Sequence, residues 1–125
     1  DNSLIEDAKV VMSRVNNGWY SPYIEQSTSN NSLEDFTNNV NKMIANTKHR
    51  CELVNEVLTE YSNNNLSKKL NLQENDEKNG VLEALINGIN NLHDTITKML
   101  IENKSNGLTL NNSSNILLSN VDKLN

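Results

Sequence analysis

Nucleophilic catalysis needs a thiol or hydroxyl beside a base, and this chain holds one cysteine, Cys51, and two histidines, His49 and His93. Cys51 falls on an apolar helical seam, the place of a packed core side chain rather than a reactive thiol. His49 is two residues away, roughly opposite on a helix and too far round to serve as its base. His93 flanks a second seam beside Leu92. Neither histidine has H-x-x-x-H or E-x-x-H spacing, so no metal-ligand set forms, and both are expected as partly exposed helix residues. Gly18, Gly80, Gly88 and Gly107 stand too far apart for a phosphate-cradling loop. The expectation is a chain that is not an enzyme, with no catalytic residue, cofactor or metal.

Two clusters point to recognition instead. Glu52, Glu56 and Glu60 lie on one helix face at i, i+4 and i+8. Like charges there repel by a few tenths of a kcal/mol, about 0.2–0.5 per pair. Such a strip is either an ordinary solvated face or a dock for a basic partner. Trp19, Tyr20 and Tyr23 are three of the five aromatic residues, gathered beside the single proline, Pro22. Aromatic side chains anchor protein interfaces, and they also plug the ends of helical bundles.

Composition narrows the classes. The 125 residues carry a net charge of −5 and a pI near 4.9. The longest basic run is Lys68-Lys69, which disfavours nucleic acid and anionic membrane surfaces as direct partners. No apolar run approaches the roughly 18 residues of a membrane span. The absence of a signal-peptide pattern favours an intracellular location, cytoplasmic or nuclear. Asparagine occurs 26 times, so the Asn-x-Ser triplets at Asn30, Asn65, Asn103, Asn111 and Asn112 are about what chance supplies and do not indicate glycosylation. Leu, Ile, Val and Phe number 16, 8, 8 and 1, enough for a folded core.

Helices must position these groups. Leu4, Ala8, Val11, Val15 and Trp19 mark one helix face over residues 4–19, with Ser3 and Glu6 as a capping box. Residues 32–61 form a second helix, with a seam from Val40 and Ile44 through Thr47, Cys51, Val54, Leu58 and Tyr61. A third spans 76–104, with Leu82, Leu85, Ile89, Leu92, Ile96 and Met99 inward. Gly88 within it marks either an exposed face or a close helix crossing. Asn106-Gly107 ends the third helix, and a short fourth covers 113–124. The fold class is all-α, a single-domain antiparallel bundle of three to four helices, two long and two shorter. Leu33-Glu34, Phe36, Asn38 and Val40-Asn41 echo Leu82-Glu83, Leu85, Asn87 and Ile89-Asn90 at an offset of 49. Two amphipathic helices in an Asn-rich chain reach that similarity by accident, so no repeat is inferred.

The expected function is a helical protein–protein interaction module of a larger intracellular assembly, binding a partner helix or peptide along a helix face. The alternative is a small secreted or surface-exposed bundle acting as ligand or adhesin. The short fourth helix is expected to cover helix three poorly near Ile96, Met99 and Leu100, leaving a strip for a partner or for self-association.

Overall fold

The computed structural model describes residues 1–124. It is all-helical, with 73% of residues in three helices: α1 (Asn2–Asn16), α2 (Asn31–Ser62) and α3 (Val81–Leu124). No strand occurs among the described residues. The expected third and fourth helices are one continuous α3 of 44 residues. Gly107 does not end it. A mid-helix glycine costs only about 1 kcal/mol, whereas stopping there would require a fresh, unfavourable nucleation at residue 113.

The chain divides into two compact units, Asp1–Leu58 and a second beginning at Thr59. In the first, Leu4, Ala8 and Val11 of α1 pack with Ile24 of the following loop and with Val40 and Ile44 of α2, flanked by Val15, Tyr20 and Leu33. The loop is tied down on both sides. Asp7 Oδ2 accepts from the amides of Glu25 and Gln26 at 3.0 and 3.4 Å. Asn41 Oδ1 accepts from the Ile24 amide at 2.9 Å, and Asn41 Nδ2 donates to the Ile24 carbonyl at 3.0 Å.

The second unit repeats this construction. Leu70 in the loop after α2 is buried, and Asn90 of α3 grips it through the same pair of hydrogen bonds, 3.2 and 2.9 Å. Leu33, Thr37, Val40, Asn41 and Ile44 correspond at an offset of 49 to Leu82, Ile86, Ile89, Asn90 and His93. The first four pairs match in burial, and Ile44 is buried where His93 is half-buried. The helix ends match as well. After α1, the amides of Gly18 and Trp19 return to the carbonyls of Val15 and Arg14. After α2, those of Asn64 and Asn65 return to Tyr61 and Glu60. This is the six-residue Schellman closure. It needs a left-handed residue, supplied by Gly18 at φ 93° and by Asn64 at φ 61°. The echo at 49 residues is therefore structural, contrary to the sequence expectation.

Several local expectations are corrected. α1 starts at Asn2 with Asp1 as N-cap and no side-chain cap bond, so the Ser3–Glu6 box is not made; Glu6 instead pairs with Lys9 at 3.2 Å. Asn30 caps α2 through its side chain, accepting from the Leu33 amide. α3 begins at Val81 rather than 76, because residues 73–76 close a turn in which Asp76 accepts from the Gln73 amide. The inward face of α3 is Leu82, Ile86, Ile89, His93 and Ile96, while Leu85, Leu92 and Met99 are exposed. One position along a helix turns the face by about 100°. Gly88 has open space where a Cβ would stand, so no close crossing occurs there.

Candidate interaction sites

Four places gather the residues singled out from sequence. The first lies in the Asp1–Leu58 unit. The closure after α1 leads the chain out of the helix into Trp19 and Tyr20. Tyr20 packs against the core while Trp19 and Tyr23 stay exposed. The Arg14 guanidinium lies over the Trp19 ring at 4.6 Å from its centroid, a cation–π contact that holds the indole flat. Beside it is an open recess of about 310 Å³ lined by Trp19, Tyr20, Lys48, Cys51, Glu52 and Asn55, among others.

Cys51 is exposed in that recess, not packed in a core as its seam position suggested. Of the seam residues, Val40, Ile44 and Tyr61 are buried, whereas Cys51 and Leu58 are exposed and Val57, beside the seam, is buried. The thiol has Lys48 and Glu52 as recess neighbours. Those two pair with each other at 4.0 Å. His49 is exposed elsewhere on the helix.

The acidic strip forms the second place. Glu52 and Glu56 are exposed, while Glu60 is half-buried and accepts from Asn65 Nδ2. The three carboxylates therefore differ in setting, and Glu60 is committed to closing the end of α2.

The third place is His93, in the second unit. It is partly exposed as expected, with its side chain 12% exposed. Nε2 lies 2.8 Å from the Leu66 carbonyl, an acceptor, so Nε2–H donates there. Nδ1 lies 2.9 Å from Asp94 Oδ1, which Lys69 Nζ also reaches at 2.9 Å. The Tyr61 ring is tilted against the imidazole with centroids 5.5 Å apart, and its hydroxyl donates to the Lys68 carbonyl at 2.9 Å. Burial pushes the Tyr61 phenol pKa above its ordinary value. The hydrogen bond from Lys69, then that from His93, holds Asp94 below the usual carboxylate range. These groups fasten the Leu66–Leu70 stretch of loop to α3. Sequence reasoning placed His93 beside the second seam but passed over the asparagine clamps; the Val40-Asn41 and Ile89-Asn90 pair was the available signal.

The fourth place is the far half of α3. Ile96 is half-buried, Leu100 is 39% exposed and Met99 is 56% exposed. From Lys98 to Leu124 every residue is exposed, including Ile101, Leu108, Leu110, Ile116, Leu117, Leu118 and Val121. This segment holds Lys98, Lys104 and Lys123 against Glu102 and Asp122, so it is nearly neutral.

Among the described residues, no group of three His, Cys, Asp or Glu side chains could hold a metal ion, and no helix is long and apolar enough to cross a membrane. Compared with known proteins, the chain matches no family model, no curated protein and no solved structure.

Proposed function

We propose that the chain is a non-catalytic helical interaction module that takes a partner helix along the far half of α3. One observation carries the reading: an unbroken helical segment, Lys98 to Leu124, exposes leucine and isoleucine side chains on all sides. Burying four of them on one face is worth about 6–12 kcal/mol gross. Association itself costs about 4–15 kcal/mol. A partner must therefore bury several turns of the segment rather than touch it at one residue. In this reading the partner completes a coiled-coil-like bundle around α3. Ile96, Met99 and Leu100 form the inner end of the strip, and the Trp19, Tyr20 and Tyr23 cluster and the Glu52, Glu56 and Glu60 strip are further candidate contacts. The near-neutral charge of the segment suits protein rather than nucleic acid, and an intracellular assembly is the setting we favour.

The experiment is proximity capture in native cell extract with the wild-type chain and with Leu117→Asp, partners being read by mass spectrometry. Leu117 is exposed, so the variant keeps its circular dichroism spectrum and loses the partner. A partner retained by Leu117→Asp, with a shift in Trp19 fluorescence on binding, would move the site to the Trp19 recess.

A further inference from the structure

Three helix ends carry one stripe. In α1 it is Leu4, Ala8, Val11 and Val15; in α2, Arg50, Val54, Val57 and Tyr61; in α3, Leu110, Ser114, Leu117 and Val121, each stepping by 4, 3 and 4. The first and third agree beyond the stripe: SLIEDAKVVMSRVN (3–16) lies over TLNNSSNILLSNVD (109–122), with Leu, Ser and Val identical and Ser/Thr, Ala/Ser, Val/Ile, Val/Leu, Met/Leu and Asn/Asp exchanges between them. In α1 the stripe is buried against Ile24, Val40 and Ile44. In α3 the equivalent stripe is exposed.

Resting on the reading of α3 as a docking segment, we infer that its occupant is a second copy of this chain: residues 109–122 of one copy take the place of α1 on the loop-and-α2 surface of the other. The chemistry matches because the same residue types stand at the same steps, including a small residue, Ala8 or Ser114, at the second position. α1 is displaceable. It is the shortest helix, 15 residues, and its N-cap Asp1 does not cap the helix's own amides, its carboxylate accepting from the Thr28 hydroxyl at 2.6 Å instead. Its tether gives it an effective concentration on the order of millimolar. The wild-type chain therefore exchanges only weakly at micromolar concentration, and weakening α1 unmasks the association.

The test is sedimentation velocity across a concentration series on full-length variants. Val11→Asp disables the α1 stripe and frees the surface; it should associate at micromolar concentration where wild type is monomeric, and Val11→Asp with Leu117→Asp should not. Ala8→Gly weakens α1 without adding a charge and should tighten association about fivefold. That variant decides the matter if circular dichroism shows Val11→Asp unfolded. A folded Val11→Asp that stays monomeric, or an Ala8→Gly constant equal to wild type, overturns the inference. So does association that Leu117→Asp abolishes but α1 changes leave alone, which would mean α3 pairing with α3 and would leave the docking role of α3 standing.

Discussion

Asn41 and Asn90 make the same two hydrogen bonds 49 residues apart, each closing its amide on both backbone groups of one buried loop residue, Ile24 or Leu70. A primary amide presents a donor and an acceptor side by side, so it can pair a peptide unit that has no strand partner. The loop then keeps its apolar side chain in the core without leaving a buried N–H and C=O unmatched.

Replacing either asparagine by alanine leaves both of those groups unpaired at a part-buried place. Each unpaired group costs about 1–3 kcal/mol, and partial access to water puts the pair near the lower end, about 2 kcal/mol in all. Asn41→Ala should lower the urea midpoint and expose the 17–30 loop to hydrogen exchange; Asn90→Ala should do so for 63–80. Asn41→Asp supplies the acceptor but sets a carboxylate against the Ile24 carbonyl, so it should regain stability below the carboxylate pKa, where it can donate. Equal exchange in both loops for wild type and Ala variants would show that the clamps do not hold them.

Thr37 and Ile86 hold equivalent buried positions, and Thr37 is the odd one. It is 6% exposed and its hydroxyl has no hydrogen-bond partner. Thr37→Val exchanges that hydroxyl for a methyl of similar size and should stabilise the chain by about 1 kcal/mol. A lower melting temperature in the variant would mean that the hydroxyl is satisfied.

The helices were legible because period carries through from residue spacing to burial. Val40, Ile44 and Ile89 are inward as their spacing predicts. The choice between adjacent apolar residues was not. Leu85 and Ile86 both fit a seam, and Ile86 is the one that shares a helix face with Asn90, four residues on, which grips Leu70. Gly107 reads as a terminator because it permits a left-handed turn, but permission is not demand, and α3 runs through it. Asn41 and Asn90 were invisible among 26 asparagines, since their role exists only once a distant loop arrives. The exposed half of α3 was foreseen only in part, because length mismatch located Met99 and Leu100 but not the continuous helix beyond them.

Ile89 and Leu100 give a paired test of the two halves of α3. Ile89 is buried, so Ile89→Asp places an uncompensated charge in the second unit's core and should unfold it. Leu100 is 39% exposed, so Leu100→Lys should change the unfolding free energy by no more than the roughly ±0.5 kcal/mol usual for surface changes. Circular dichroism of wild type should report helix in about the 73% of residues that the three helices span. A cooperative loss of that signal in Leu100→Lys would place this residue in a core and remove it from the docking strip.

Asp94 ties stability to acid pH, and the sign follows from its surroundings. The Lys69 hydrogen bond, and after it the His93 one, favours the carboxylate and lowers its pKa in the folded chain below the ordinary value of 3.8. Folding is thus favoured by this group above that value, and the contribution is lost as pH falls through the folded pKa. The group is fully exposed, so salt screens its pairing and the effect should shrink at high ionic strength. Asp94→Asn keeps a hydrogen-bond acceptor without the charge. Its melting temperature should lie slightly below wild type at neutral pH, and the two should converge on acidification below the carboxylate range. A difference that stays constant from neutral to strongly acid pH would show that Asp94 acts through shape alone. In that event the Leu66–Leu70 loop owes its place to the Asn90 clamp and to the Nε2–H of His93 on the Leu66 carbonyl.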